Sequence, residues 1–100
     1  MREYQVTCIW KPNRKSGHEH IAYVGNLEEK WKLTVVAVVF RLDAKQEAYF
    51  TVDKATGEKA YLGVVRERGK APYLRAYANA LWNDYLLTQA ECGEECRLLA

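Results

Sequence analysis

Two histidines and a carboxylate stand together at His18-Glu19-His20, and the chain of 100 residues has no other histidine. Imidazole titrates near neutral pH and is a common metal ligand. Two imidazoles are half of a zinc tetrahedron, and Cys8, Cys92, Cys96, Asp84 and Glu91 are the side chains that would complete it. The spacing does not favour such a site. Cys92 and Cys96 are separated by Gly-Glu-Glu and make no C-x-x-C pair, and both fall in a C-terminal segment expected to be exposed and frayed. No metal is therefore favoured, and His18 and His20 are the ligands if one binds. The expectation is a structural polar cluster, in which the carboxylate beside the imidazoles raises their pKa values.

Catalysis finds less support. Cys8 with either histidine would make a Cys–His pair, but Cys8 lies in an apolar strand-like run where cysteine is usually an inert hydrophobe. Ser16, the single serine, lacks a Gly-x-Ser-x-Gly context, and no glycine loop suits a phosphate. The expectation is a protein that is not an enzyme and needs no cofactor.

Binding residues are easier to find. Residues 1–80 hold 14 Lys and Arg against 9 Asp and Glu, while residues 81–100 hold one Arg against four acids. Lys11, Arg14 and Lys15 form one basic group, and Arg66, Arg68, Lys70 and Arg75 another. Tyr73, Tyr77 and Trp82 interleave with the second group, a pattern that suits stacking of single-stranded bases. Protein recognition is the competing use: a free edge at Tyr73–Tyr77 would accept a partner strand, and Trp31, Trp82 and Tyr85 would serve as anchors. The expected binding set is His18, Glu19, His20, Arg66, Tyr73, Arg75, Tyr77, Trp82 and Asp84. The favoured reading is a small binding module for a protein partner, of the kind a phage or mobile element would use to inhibit a host defence protein. Single-stranded nucleic-acid binding is the alternative and metal binding the second alternative. The oligomeric state is open.

The elements that must position these residues read as α+β. Hydrophobic residues make up 49% and charged residues 28%, which places the chain among globular proteins rather than disordered ones. Tyr4–Trp10 alternates as one strand ended by Pro12, and His20–Val24 as another. Val35, Val38, Val39 and Leu42 make a helical stripe behind Thr34, a possible N-cap, although the same block also has strand propensity. Ala48–Val52 and Lys59–Arg66 form a hairpin around Gly57, and Gly63 marks a bulge or a close backbone approach. Ala76–Gln89 contains no Gly or Pro and could be helical. The result is a mainly antiparallel sheet of four or five strands with one helix at about Thr34–Ala44. A single compact domain spans residues 1–92, and residues 93–100 form a mobile tail. The N-terminus lacks a signal-peptide core, and the longest apolar run, Val35–Phe40, is too short to cross a membrane. With an odd cysteine count, this suggests a cytoplasmic protein with reduced thiols and no membrane partner.

Several segments in order carry a resemblance: Tyr4-x-Val6-x-Cys8-Ile9-x-Lys11-Pro12, His18-Glu19-His20-Ile21, Val24-Gly25, Gly63-Val64-Val65, Tyr73-Leu74-Arg75-x-Tyr77-Ala78, Trp82-x-Asp84-x-Leu86-Leu87 and Glu91-Cys92. Across about residues 4–92 the chain resembles a bacterial family of short uncharacterised proteins, domain-of-unknown-function family 3892. The resemblance carries no activity. It implies that the Thr34–Ala44 block is the family's single helix and that Tyr77–Asp84 is an irregular, aromatic-rich connection. Asn79-Ala80 stands where the family often has Asp-Gly, and Tyr85 where it often has Asn. Loss of that glycine weakens the family's turn and favours a local helix, so the C-terminal segment is expected to be irregular or partly helical.

Overall fold

The alternating run Tyr4–Trp10 has the pattern of one strand, but the chain uses it as two. In the computed structural model, which describes residues 2–99, Arg2–Gln5 (β1) and Cys8–Trp10 (β2) belong to different sheets. Val6 and Thr7 make the crossing. The Val6 N–H donates to the Phe50 carbonyl (2.7 Å) in one sheet, and the Thr7 N–H donates to the Gly25 carbonyl (2.8 Å) in the other. The buried Thr51 hydroxyl closes the corner by donating to the Val6 carbonyl (3.0 Å).

The remaining elements are Tyr23–Asn26 (β3), Trp31–Thr34 (β4), Val35–Asp43 (α1), Glu47–Val52 (β5), Lys59–Val65 (β6), Tyr73–Ala78 (β7), Leu81–Asn83 (β8), Ala90–Glu91 (β9) and Arg97–Leu98 (β10). The first sheet runs β1-β5-β6-β7-β8 and the second β10-β4-β3-β2-β9. Three pairings are parallel, β1 with β5, β2 with β9 and β4 with β10; the rest are antiparallel. The fold is α+β, with two mixed five-stranded sheets in place of the single sheet the sequence suggests. The second sheet is built from strands of two to four residues, too short to show a period in sequence.

The ambiguous apolar block is a helix. Thr34 caps it by accepting the Ala37 N–H (3.1 Å). Val35 and Val38 are buried, and Val39 and Leu42 pack partly buried against the same core. That core draws Val24 and Leu33 from the second sheet and Leu62, Leu74 and Ala76 from the first. Val36 and Phe40 face solvent. Among the described residues no helix is long and apolar enough to cross a membrane.

Four further expectations need correction. His20–Val24 is not a strand: His18–His20 is a 3₁₀ turn, and β3 begins at Tyr23. Tyr73–Tyr77 is not an edge, because β7 lies between β6 and β8. Ala76–Gln89 is not helical, because cross-strand pairing overrides its weak local propensity: Ala78 pairs with Leu81 across a two-residue loop, in which Asn79 (φ 55°) and Ala80 (φ 63°) both take the left-handed conformation. The segment after Glu91 is not exposed throughout: Cys92 and Cys96 are buried, and Arg97–Leu98 pairs with Trp31–Lys32.

Candidate binding face

Strand alternation sorts the expected site residues. On β7, Leu74 and Ala76 point into the core, so Tyr73, Arg75 and Tyr77 share the opposite face. Register extends that face across the sheet. Phe50 pairs with Tyr61, Tyr61 with Tyr77, and Tyr77 with Trp82, so four aromatic residues on β5, β6, β7 and β8 lie in one row. Phe50 and Tyr61 meet edge-on at 6.3 Å between ring centroids, and Tyr77 and Trp82 at 5.7 Å. Tyr77 is 41% exposed and Trp82 48%, so the β7–β8 end of the row is the open one.

Gly63 makes this arrangement possible. It pairs in regular register with Arg75, so there is no bulge, and the close approach is made by side chains. A Cβ on Gly63 would lie 3.0 Å from the Trp82 ring and 3.1 Å from the Tyr77 ring. The two rings therefore lie over the bare backbone of β6.

Beside the row sits a polar cluster. The 3₁₀ turn packs on β7 and buries His18, whose Nε2 lies 3.8 Å from Asp84 Oδ1. Arg75 Nη2 donates to the same carboxylate oxygen at 3.1 Å. Burial, followed by the nearby Arg75 guanidinium, lowers the His18 pKa, while Asp84 and Glu19 act weakly in the other direction. This reverses the expected raised value: the carboxylates are outweighed by desolvation of a buried imidazole. His18 and His20 do not share a strand face, and His20 is exposed beside Glu19 at 3.9 Å. The histidines and the cysteines do not converge, so the mixed ligand set considered from sequence is not assembled.

The basic groups are largely spent on neighbours. Arg66 pairs with Asp43 (2.5 Å), Lys70 with Glu67 (3.6 Å) and Lys59 with Glu3 (2.9 Å). Arg14 pairs with Glu91 (2.7 Å), and Lys11 donates to the Arg14 and Ser16 carbonyls. Arg66 therefore lies apart from the Arg75 cluster with which it was grouped. Tyr73 is buried and donates to Glu67. Of the other proposed anchors, Trp31 packs on Tyr4, and Tyr85 donates to Glu58 (2.6 Å).

Sequence reasoning missed Phe50, Tyr61 and Lys59, whose ammonium lies 4.3 Å from the Phe50 ring centre. The hairpin turn held the clue, since its register places Phe50 opposite Tyr61. The cysteines are also not three free thiols. Cys8 and Cys92 are joined by a disulfide, and Cys96 is free and buried.

The family model described as "Protein of unknown function (DUF3892)" matches residues 5–88. The chain belongs to this family. No curated protein and no solved structure matches it. The span shared with DUF3892 contains the whole aromatic row together with His18, Arg75 and Asp84, while Cys92 and Cys96 lie beyond it.

Proposed function

We propose that the outer face of the first sheet is a protein-docking surface and that this DUF3892 chain is a non-enzymatic binding module. The in-register row Phe50–Tyr61–Tyr77–Trp82 carries the reading. Three strand spacings of about 4.8 Å make the row roughly 14 Å long, enough to seat the apolar stripe of one helix. Tyrosine and tryptophan are the usual source of binding energy in such a surface. Lys59 and Arg75, the two cations beside the row, already have carboxylate partners, which suits an apolar protein surface better than a polyanion. The expected partner presents aliphatic or aromatic side chains to Tyr77 and Trp82.

The test compares capture by the wild-type chain, by Tyr77→Ala/Trp82→Ala, and by Val36→Asp/Phe40→Ser on the exposed helix face. A stoichiometric partner lost only with the aromatic pair supports the proposal. A partner that survives that change refutes it. Single-stranded DNA serves as the second probe. Affinity for it that falls steeply with salt, through counterion release, would replace this reading with nucleic-acid binding.

A further inference from the structure

The second sheet has its own small apolar cluster, separate from the main core. On β2, Ile9 joins the main core, whereas Cys8 and Trp10 turn to the opposite face. The C-terminal segment returns there. Cys92 donates its N–H to the Ile9 carbonyl (2.9 Å), and Arg97 donates to the Lys30 carbonyl (2.9 Å), so residues 92–97 strap β2 to β4. The strap delivers Cys92 and Cys96 to Cys8, and Trp10 and Leu27 wall the group. All three sulfurs lie within 4.8 Å of one another, and the three residues are 0%, 7% and 3% exposed.

We propose that Cys8, Cys92 and Cys96, once reduced, form a three-thiolate site for one thiophilic cation, zinc(II) or copper(I). The third sulfur carries the inference. A disulfide uses two sulfurs and explains why Cys8 and Cys92 meet; it gives no reason for burying Cys96 against both. Around one ion, metal–sulfur bonds of about 2.3 Å place sulfurs roughly 4 Å apart, a spacing that this cluster reaches with small side-chain rotations. Thiolates select soft cations. Among the described residues no carboxylate or imidazole joins the group, so hard cations find no oxygen set here.

The Cys8–Cys92 bond is the oxidised, metal-free form. A thiol reductant opens it: two small thiols give up two electrons and two protons, leave as their own disulfide, and two protein thiols remain. Binding of the cation by three thiols then releases three protons to solvent.

The test uses the full chain, reduced anaerobically with a phosphine that is then removed. Zinc(II) is titrated in competition with a chromophoric chelator, and copper(I) in competition with bicinchoninate. One equivalent of either cation, accompanied by protection of all three cysteines from alkylation, is the expected result. Cys96→Ser leaves the Cys8–Cys92 pair intact and should lose the one-equivalent endpoint with an unchanged circular dichroism spectrum. His18→Ala should bind as the wild type does. Failure of both cations to bind stoichiometrically overturns the proposal, as does Cys96→Ser binding with undiminished affinity.

Discussion

Ala80 is held where a side chain is least welcome. It follows Asn79 in the two-residue loop between β7 and β8, and both residues have positive φ, as the tight hairpin turn requires. Asparagine tolerates this region, but alanine does not share that tolerance. The left-handed conformation costs a residue with a Cβ about 1–2 kcal/mol. Ala80→Gly removes that strain and adds unfolded-chain entropy worth roughly 0.4–1 kcal/mol. Because Ala80 is exposed, little packing is lost. The net expectation is a gain of about 0.5–1 kcal/mol, which raises Tm by roughly 2–8 °C in a domain of this size. Urea unfolding followed by tryptophan fluorescence should show a higher midpoint with an unchanged slope, and calorimetry should give the matching Tm. A lower midpoint for Ala80→Gly would refute the argument. It would mean that the entropy glycine adds to the unfolded chain outweighs the strain relieved at Ala80.

Gly25→Ala should be far more damaging, since its Cβ would sit 2.2 Å from the Trp31 carbonyl oxygen. That backbone oxygen cannot rotate away, so the cost lies at or above the top of the roughly 1–3 kcal/mol typical of overpacking, read as a lower urea midpoint and lower soluble yield. Thr34→Ala should cost about 1 kcal/mol by removing the cap of α1, and Thr34→Ser should restore most of it, again by urea midpoint. The lowered His18 pKa makes its protonation favour the unfolded chain. Stability is then full above the unfolded histidine value of about 6.5 and falls as pH drops toward the folded pKa, at no more than about 1.4 kcal/mol per pH unit. Unfolding free energies from pH 7 to 5 should show this decline in the wild type and a shallower one in His18→Gln; parallel curves would rule out the assignment.

Local chemistry made some elements legible. Thr34 and the stripe behind it identify α1, and the turn around Gly57 identifies the β5–β6 hairpin. Tyr77 and Trp82 stood out as aromatics flanked by charge, and His18 and Asp84 as separate polar residues. Their neighbours were hidden because pairing is non-local: β1 meets β5 across more than forty residues, and β10 meets β4 across more than sixty. No periodicity within Tyr4–Trp10 announces that the strand changes sheets at Val6. The Asn79–Ala80 turn is hidden in the sequence because its conformation is imposed by the pairing of the flanking strands, against the preference of alanine.

The strap that carries Cys92 and Cys96 has a second consequence, for colloidal behaviour. The strands it joins, β9 and β10, are both edges of the second sheet, and each is only two residues long. So short an edge offers an incoming strand almost no ladder to extend, whereas a longer bare edge invites pairing between molecules. Lifting the strap would uncover β2 on one side and the four-residue β4 on the other. The sulfur cluster thereby stands guard over self-association: a chain in which neither a disulfide nor a metal ion secures the strap should be the form that aggregates through its strands.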